Sequence, residues 1–483
     1  MKSLKNSRLL RKSRMNQPSP DQQQMANNTV IILAAGKGKR MNCTGPKILV
    51  EICGRSILAH QLDTIRSTGL KRVILVINPT DQDLFKPLLN EYNDLTIQLA
   101  LQETPMGTAH AVIQALPLVN TEQVITILGD VPFVPSSVFK NAFAHLQTCH
   151  ITTSIYENPT GLGRIIRNTD EQIVKIVEQK DCSVSENNIK EANTGIIAVK
   201  TDLLKTYAKK IHNHNNQQEF YLTDLIQLLT QDQLPIQSDH VEPNWLVQGC
   251  NSVTELIYLE RKYQKNLAQK LLQQGVKLKD PHRFDCRGEL SCGHNVSIDI
   301  NVIIEGKVII GDNCTIGAAC ILKDVTIGNN VDVKPFSHLE NTCLDHMVKV
   351  GPFSYCREGT HLHQSAQLGC FVETKRTTIG ANSKAKHLSY LGDLSIGEST
   401  NIGAGVIHCN YDGQNKHQST VKNHAFIGAN TAIIGPVSID DHTTVAAGTT
   451  ITNDVPESTL AIGRSKQQHI EKWKLKSPKK ESV

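Results

Sequence analysis

The stretch VIIGDNCTIGAACILKDVTIGNNVDVK, residues 308–334, repeats an aliphatic residue followed by glycine. The pairs Ile310-Gly311 and Ile316-Gly317 are one hexapeptide apart, and Ile327-Gly328 follows after nearly two more. A period of about six residues, with one inward aliphatic side chain per short strand and a small residue at the turn, is typical of a parallel β-helix built from hexapeptide repeats. The stretch therefore predicts a triangular coil with three flat faces for the C-terminal half of the chain.

The same pattern continues to residue 435, with spacings mostly within one residue of a multiple of six. Its further pairs are Val350-Gly351, Leu368-Gly369, Ile379-Gly380, Ile396-Gly397, Ile402-Gly403, Ile427-Gly428 and Ile434-Gly435. The register breaks at CNYDGQN, residues 409–415. Because loops that leave a repeat coil commonly carry its function, we expect this loop to contribute to a site. A single coil would expose its flat faces, so we also expect a homotrimer formed through the β-helix.

Residues 28–251 follow a different pattern, in which short apolar runs alternate with helical stretches. The predicted strands are Thr29–Leu33, Val73–Ile77, Ile97–Leu101 and Val124–Leu128, and the intervening segments Ile57–Ser67 and Ala109–Ala115 suit helices. This alternation predicts an α/β domain with a mostly parallel sheet covered on both faces. In such sheets ligands bind at the carboxyl ends of the strands.

A helical connector is predicted between the two halves. Apolar residues fall on one stripe from Leu256 to Leu271, and Gly275 is a suitable C-cap. The predicted organisation is a basic, disordered extension (1–27), an α/β domain (28–251), a helical linker (252–276), a β-helix domain (277–465) and a basic C-terminal tail (466–483).

The net charge of +5 comes from the N-terminus, because residues 1–14 contain six Lys and Arg and no acid, so the remainder carries +5 − 6 = −1. A basic tail can bind nucleic acid or anionic lipid. We favour a disordered extension, or a start codon assigned too early with Met15 or Met25 as the true first residue, and expect neither nucleic acid nor membrane as a partner. The thirteen cysteines are scattered from Cys43 to Cys409 without metal-site spacing, which indicates reduced thiols in the cytoplasm.

The segment IILAAGKGKRM, residues 31–41, is a predicted strand that runs into a glycine loop with three cations. The loop fits neither a Walker sequence nor a Rossmann fingerprint. Its backbone N–H groups can approach phosphate oxygens, while Lys37 and Arg40 can neutralise a polyphosphate. Lys47, after Pro46, adds a further cation. The segment predicts a phosphate site.

LAAGKGKRM followed by Pro46-Lys47 resembles the signature of sugar-1-phosphate nucleotidylyltransferases. Further motifs follow in the order of that family: QETPMGTAHA (102–111), GDVP (129–132), NPTGLGR (158–164), VEQKD (177–181), NTG (193–195), FYLTD (220–224) and GCN (249–251). Together with the repeats, the series is similar to the bacterial bifunctional N-acetylglucosamine-1-phosphate uridylyltransferases/glucosamine-1-phosphate N-acetyltransferases over residues 29–470. The resemblance implies a Rossmann-like nucleotidylyltransferase domain followed by a left-handed parallel β-helix.

For the first domain, the resemblance implies that the phosphate of N-acetylglucosamine 1-phosphate attacks the α-phosphorus of UTP and releases pyrophosphate. It places one Mg²⁺ per subunit on Asp130 and Asn251, the attacking phosphate on Lys47, and the uracil on Gln102 with Gly107–Thr108. The residues it assigns to UTP and UDP-N-acetylglucosamine are Leu33, Ala34, Ala35, Gly36, Lys37, Arg40, Lys47, Gln102, Gly107, Thr108, Gly129, Asp130, Gly163, Glu178, Asn193 and Asn251. Of these, Gly163, Glu178 and Asn193 would contact the sugar.

For the second domain, acetylating an amine from acetyl-CoA needs a base, an oxyanion donor and cations for the sugar phosphate. The resemblance selects His387, in SKAKHLSYLGD (383–393), as the general base. It assigns glucosamine 1-phosphate to Arg357, Lys375, Tyr390 and Asn401. It assigns acetyl-CoA to Ala404, Asn410, Tyr411, Ala429, Ala447 and Arg464.

The chain departs from the family pattern at three positions: Lys39 replaces threonine, Leu128 replaces tyrosine and Ala429 replaces serine. We expect the first to be neutral or helpful, the second to remove a minor nucleotide contact, and the third to weaken acetyl-CoA binding slightly. Two alternatives remain: a single-activity nucleotidylyltransferase with a regulatory β-helix, and a non-catalytic scaffold. The first alternative is disfavoured because the chain retains His387, Tyr390 and Asn410–Tyr411. The second is disfavoured because it retains Lys47, Asp130 and Asn251.

Overall fold

The computed structural model describes residues 25–36, 41, 45–144 and 146–473. The chain divides into two compact units, with the boundary between Tyr263 and Gln264. This boundary falls inside the helix Val253–Gln273, which Gly275 follows with a left-handed φ of 89°. Lys37, Lys39, Arg40 and most of the predicted terminal segments lie outside the described residues.

The first unit is built around a mostly parallel sheet. Its strands lie in the order Ile236–His240, Cys149–Ile155, Glu191–Lys200, Gln123–Leu128, Thr29–Leu33, Arg72–Ile77 and Thr96–Leu101. Glu191–Lys200 is antiparallel to both of its neighbours and also pairs with Arg164–Arg167, which forms a hairpin with Ile173–Val177. Glu51–Ile52 and Arg55–Ser56 form a separate hairpin. The predicted α/β fold class is confirmed.

Helices cover both faces of this sheet, and two apolar cores lie beneath them. The α-helices of the first unit are Ile57–Thr68, Gln82–Asn90, Thr108–Ala115, Ser136–Ala144, Val184–Asn187, Thr201–Tyr207, Asp224–Gln231 and the start of Val253–Gln273. The first of them shows how the sequence sets a helix boundary. Ser56 Oγ accepts from Ala59 N at its start, and Gly69 ends it at φ 89°. Among the described residues, no helix is long and apolar enough to cross a membrane.

The central strands place the predicted nucleotide residues together. Thr29–Leu33 pairs in parallel with Arg72–Ile77 on one side and with Gln123–Leu128 on the other. Since parallel strands end at the same edge, the loops after Leu33 and Leu128 are adjacent, and Gly129 N donates to Leu33 O at 2.9 Å. A Cβ at Gly129 would lie 2.8 Å from Leu33 O, so glycine is needed for this close approach.

The second unit is a parallel coil of short strands around a single column of aliphatic and cysteine side chains. Its strands are Lys277–Leu278, Phe284–Cys292, Ser297–Ile298, Val302–Ile310, Thr315–Ile316, Ile321–Ile327, Asp332–Val333, His338–Leu344, Lys349–Val350, Tyr355–Cys356, Thr360–Leu362, Gln367–Lys375, Thr378–Ile379, Lys384–Gly392, Leu394–Ile396, Asn401–Ile402, Ile407–Cys409, Ser419–Val421, Phe426–Ile427, Ala432–Ile434, Ser438–Ile439, Thr444–Val445, Thr450–Ile451 and Leu460–Ala461. The predicted left-handed parallel β-helix is confirmed.

The register of the coil explains the repeat. Ile298 pairs with Ile316, and Ile316 pairs with Val333. Each of these turns of the β-helix therefore consists of three hexapeptides, or of three hexapeptides less one residue. Ile396 instead pairs with Val421, because the loop predicted from the sequence leaves the coil between them and lengthens this turn. The buried residues of the repeat thus stack directly on one another.

Three corners separate the faces of the coil, and each corner repeats a residue with positive φ. We name the faces and corners by their residues. Face one contains Tyr355, Glu373 and Tyr390; face two contains Cys343, His361 and Thr378; face three contains Gln367, Lys384 and Asn401. The corner between faces three and one, here called the aromatic corner, has left-handed backbone at Phe336, Phe353, Phe371 and Leu388.

Adjacent isoleucines in one strand provide a test of the coil's packing. Ile310 is 2% exposed and lies in the core column, whereas the neighbouring Ile309 is 39% exposed. We expect Ile310→Ala to lower the free energy of unfolding by about 2–5 kcal/mol through the cavity it leaves. Ile309→Ala should change it by less than about 0.5 kcal/mol. Denaturant unfolding of both variants measures the difference, and equal losses would contradict the assigned register.

Candidate active sites

Two adjoining pockets of about 730 Å³ each open at the carboxyl edge of the first unit's sheet. The first is lined by Leu33, Ala34, Ala35, Gly36, Lys47, Gln102, Gly107, Thr108, Asp130 and Asn251, among others. The second is lined by Gly163, Glu178 and Asn193 and shares Thr108, Asp130 and Asn251 with the first. The structure therefore brings together the described residues predicted for UTP and the sugar. Gly129 is the exception, since it does not line either pocket.

Lys47, Asp130 and Asn251 meet where the two pockets join. Lys47 Nζ donates to Asp130 Oδ2 at 2.6 Å and to Asn251 Oδ1 at 2.8 Å. The lysine side chain is 10% exposed and the aspartate 18%. Asp130 Oδ1 is buried, and none of the residues described by the structure forms a hydrogen bond to it. The Lys47 ammonium group thus lies between Asp130 Oδ2 and Asn251 Oδ1. The other carboxylate oxygen, Asp130 Oδ1, remains available for a second cation.

Asn251 is held by the start of the helix Val253–Gln273. Glu255 Oε2 accepts from Asn251 N at 2.5 Å and from Ser252 N at 3.1 Å, while Glu255 N donates to Ser252 Oγ at 3.3 Å. This reciprocal pattern is a capping box. Its sequence signal is Ser252-x-x-Glu255, which the sequence analysis did not use.

The predicted uracil segment is fixed by backbone contacts with the FYLTD segment. Phe220 N donates to Met106 O at 2.8 Å. Gly107 has a φ of 111°, and a Cβ there would lie 2.5 Å from Phe220 O, so the position requires glycine. Gln102 Nε2 lies 2.9 Å from His110 Nδ1 and 3.4 Å from Gly107 O, which orients its amide beside the first pocket.

The predicted sugar residues lie around a half-buried carboxylate. A Cβ at Gly163 would lie 3.4 Å from Glu178 Oε1, and Asn193 N donates to Gly163 O at 2.9 Å. Burial raises the pKa of Glu178, although a hydrogen bond from Thr223 Oγ1 at 3.1 Å opposes the shift. Burial also raises the pKa of Asp224 to about 6. Hydroxyl donors from a sugar would offset the cost of keeping the Glu178 carboxylate charged.

Several pocket residues were not singled out from the sequence. Tyr156, Gln217 and Glu219 line the second pocket, and Glu219 also lines the first. Glu219 directly precedes the FYLTD motif, which is the signal that could have identified it. Leu128, at a position where the family resemblance predicts tyrosine, lines both pockets and packs over Gly195, where a Cβ would lie 2.4 Å from Leu128 Cδ1.

In the β-helix, His387 lies at the aromatic corner. It is in the strand Lys384–Gly392 and pairs with Cys370 of the preceding coil. Its side chain is exposed, and no hydrogen bond to its ring is formed by the described residues. Its own carbonyl accepts from Ser389 Oγ at 2.9 Å, which anchors the backbone. The imidazole is therefore free to act on a bound molecule.

Three of the residues predicted for acetyl-CoA continue the same corner. Asn430 N donates to Ala404 O at 2.7 Å, and Gly448 N donates to Ala429 O at 2.8 Å, so the alanines lie one above another on successive coils. Arg464 Nη1 donates to Ala447 O at 2.5 Å. The result is a column with small side chains above His387, which leaves room for a long ligand.

The predicted phosphate cations lie toward a second corner, between faces one and two. Arg357 Nη1 donates to Glu373 Oε1 at 3.0 Å, and Lys375 Nζ to Glu358 Oε1 at 2.6 Å. Tyr390 lies on face one, in register with Glu373. Asn401 is on face three, paired with Lys384.

The loop that interrupts the coil leaves from this second corner. Asn410 Nδ2 donates to Asp393 Oδ2 at 2.5 Å, and Arg376 Nε donates to Asp393 Oδ1 at 2.6 Å. Burial alone would raise the pKa of Asp393, but these hydrogen bonds outweigh burial and lower it. Buried His408 bridges Gly392 O and Ser419 Oγ across the base of the loop. Within one chain, the predicted acetyl-transfer residues thus lie mainly at two different corners, the aromatic corner and the corner between faces one and two.

Comparisons with known proteins agree with this two-unit arrangement. A family model of the MobA-like NTP transferase domain matches residues 30–193, and one of the hexapeptide repeat of succinyl-transferase matches residues 307–334 and 421–453. Bifunctional protein GlmU of Ralstonia nicotianae is 40% identical over 447 residues, which cover 92% of this chain and 97% of that protein. Bifunctional protein GlmU of Azoarcus sp. is 40% identical over 450 residues, covering 92% and 98%. That of Marinobacter nauticus is 39% identical over 454 residues, covering 93% and 99%.

These matches span both units of the chain and confirm the family predicted from the ordered motifs. The chain therefore belongs to the GlmU family and is a bifunctional transferase that synthesises UDP-N-acetylglucosamine.

Proposed function

We propose that uridylyl transfer takes place where the two pockets of the first unit meet. The observation that carries this proposal is the contact of Lys47 with both Asp130 and Asn251. UTP would occupy the first pocket, beside Gln102, and the sugar the second, beside Glu178. The phosphate of the sugar and the α-phosphate of UTP would then face each other at Lys47.

The donor set fits a magnesium ion. Asp130 supplies a carboxylate with one buried oxygen that has no hydrogen-bond partner in the described part of the chain, and Asn251 supplies an amide oxygen. Mg²⁺ prefers a few hard oxygen ligands completed by water and substrate phosphates, and when bound it would neutralise charge on the phosphate oxygens. Lys47, now bonded to both donors, would turn to the attacking phosphate. Because this nucleophile is already ionised, the residues need only position the reactants and neutralise charge.

We propose that acetyl transfer takes place at the aromatic corner with His387 as general base. The amino group of glucosamine 1-phosphate would attack the thioester carbon of acetyl-CoA, and the exposed imidazole would accept the proton that this amino group loses. Breaking the carbon–sulfur bond releases coenzyme A. The column of Ala404, Ala429 and Ala447 would hold the coenzyme, with Arg464 at its end.

A second copy of the chain is needed to complete this site. Arg357, Lys375 and Asn410 lie toward a different corner of the same coil from His387, so coils of neighbouring chains would bring the two groups together. The aromatic corner itself supports the contact. Phe336 stacks on Phe353 at 5.1 Å, and Phe353 on Phe371 at 5.4 Å between ring centroids.

The large apolar side chains of the aromatic corner are unfavourable in water unless another surface covers them. Phe336, Phe353, Phe371 and Leu388 are each 46–62% exposed in one chain. A bulky residue at positive φ is also strained, by about 1–3 kcal/mol. Other corners of the coil place Asn at this position, as at Asn330 and Asn382. We therefore propose a homotrimer in which neighbouring chains bury the aromatic corner. We also propose that the enzyme is cytoplasmic and uses UTP and acetyl-CoA as cosubstrates.

Phe353→Asn tests the trimer and its link to acetyl transfer. Asn tolerates positive φ, so the coil should fold while the contact loses its central ring. We expect sedimentation velocity to show dissociation, and acetyl transfer to fall at least about tenfold, which corresponds to about 1.4 kcal/mol, with uridylyl transfer unchanged. Ile309→Asn, an exposed position on face two, is the matched control. A variant that remains trimeric, or that dissociates with full acetyl transfer, would exclude this arrangement.

A further inference from the structure

Four side chains with metal-ligating atoms meet on face two, and none of them is among the predicted site residues. Cys343 Sγ, a carboxylate oxygen of Asp345 and a ring nitrogen of His361 lie within 4.8 Å of one another. Asp345 Oδ1 is 3.0 Å from His361 Nε2, and Asp345 Oδ2 is 2.9 Å from His363 Nδ1. The carboxylate thus bridges two imidazoles beside a thiol.

The coil brings these residues together although they belong to two successive turns of the chain. Cys343 and His361 pair in parallel register, and Asp345 N donates to Leu362 O at 2.9 Å. Leu344 and Leu362 fill the core, so residues on either side of each leucine point outward from adjacent coils. The thiol, the carboxylate and both imidazoles therefore share one surface patch.

We propose that Cys343, Asp345 and His361 bind a divalent transition-metal ion of the Zn²⁺ type. Thiolate sulfur, imidazole nitrogen and carboxylate oxygen are the three donor types that Zn²⁺ takes in proteins, at about 2.0–2.3 Å. Donor atoms within 4.8 Å of one another reach these distances from a common centre with small side-chain movements. The fourth tetrahedral position faces solvent.

His363 has a separate role in this site. Its hydrogen bond to Asp345 Oδ2 fixes the orientation of the carboxylate, while the bound ion would replace the contact between Asp345 Oδ1 and His361 Nε2. Such outer partners of metal ligands commonly tune affinity by about 10- to 100-fold. His363 is therefore a positioning residue, and its loss should weaken the site without abolishing it.

The patch is accessible and chemically different from the Asp130–Asn251 pair. His361 is 38% exposed, Asp345 35% and His363 41% in their side chains, which provides an entry path. Face two lies opposite the aromatic corner, so burying that corner does not by itself cover the patch. A thiolate–imidazole set selects borderline-soft ions, whereas the two oxygen donors near Lys47 suit Mg²⁺.

The bound ion would join two successive coils, because Cys343 and Asp345 belong to one coil and His361 to the next. Ligands that bind only the folded chain raise its stability. The site would therefore act as a structural clamp across face two.

The test is a titration of the full-length, chelator-treated chain with Zn²⁺ in the presence of excess Mg²⁺. We expect one Zn²⁺ per chain to bind in competition with a chromophoric chelator, and the unfolding temperature to rise. Co²⁺ in place of Zn²⁺ should give a thiolate charge-transfer band and the intense visible bands of tetrahedral coordination. Cys343→Ser should abolish that charge-transfer band and weaken Zn²⁺ binding by at least about 100-fold, because it removes a direct ligand.

Two further variants separate the proposed site from general histidine binding. His363→Gln should weaken Zn²⁺ binding by about 10- to 100-fold and retain the thiolate band. His424 is an exposed histidine whose ring centroid lies 4.9 Å from that of His442. His424→Gln should leave Zn²⁺ binding unchanged. Wild-type affinity in Cys343→Ser, or an equal loss in His424→Gln, would overturn the proposal. All the variants should fold in metal-free buffer, since each replaces a partly exposed side chain.

Discussion

The His387→Ala variant is expected to lose acetyl transfer while it keeps uridylyl transfer. Removing a general base typically lowers a rate by about 10²- to 10⁴-fold. The change should not disturb the coil, because the imidazole is exposed and the strand around it is held by its backbone ladder and by Ser389. Thiol release from acetyl-CoA and glucosamine 1-phosphate measures the first reaction. Pyrophosphate release from UTP and N-acetylglucosamine 1-phosphate measures the second.

The control for this variant is another exposed histidine of the same coil. His424→Ala removes an imidazole of similar exposure at a corner without predicted site residues. It should retain both reactions. A fall in uridylyl transfer in His387→Ala, or full acetyl transfer, would show that His387 does not have the role proposed here.

The Asp130→Asn variant is expected to show the opposite result. Asn keeps the shape of the side chain and one acceptor for Lys47, but it removes the negative charge that a divalent cation needs. Charge stabilisation by a bound metal is worth several kcal/mol, so uridylyl transfer should fall at least about 100-fold. Acetyl transfer should be unchanged, because its residues lie in the other unit. Part of the lost activity should return at higher Mg²⁺ concentrations.

Asp94→Asn is the matched control for Asp130. Asp94 also forms a 2.6 Å ion pair, with Arg66, but at an exposed position where such pairs contribute about 0–1 kcal/mol. Both activities should survive this change. Comparable losses in the two variants would mean that Asp130 supports the fold rather than the reaction.

Much of the fold could be predicted because its signals are local. The β-branched run Thr29–Leu33 has the predicted boundaries in the structure, and the helix predicted over Ile57–Ser67 extends by one residue to Thr68, where Gly69 ends it. The repeat could be predicted because the narrow core of the β-helix takes one aliphatic side chain from each short strand. The loop at Asn410 was visible as the place where that pattern stops.

The contacts of the sites could not be read from the sequence, since they join distant residues. Nothing local indicates that Lys47 bonds to Asp130 and Asn251, which are 83 and 204 residues away. Cys343 and His361 have no metal-site spacing in the linear sequence, and only the length of one coil places them side by side. Phe353 also gives no sign in the sequence that its backbone is left-handed and its ring exposed.

Omitting one cosubstrate at a time would test whether one chain carries two independent reactions. Purified protein would be supplied with Mg²⁺, and free thiol and pyrophosphate would be measured separately. We expect thiol release from acetyl-CoA and glucosamine 1-phosphate without UTP. We also expect pyrophosphate release from UTP and N-acetylglucosamine 1-phosphate without acetyl-CoA. Pyrophosphate release without any thiol release would exclude two independent reactions, because the β-helix would then be a scaffold and His387 would not be a catalytic base.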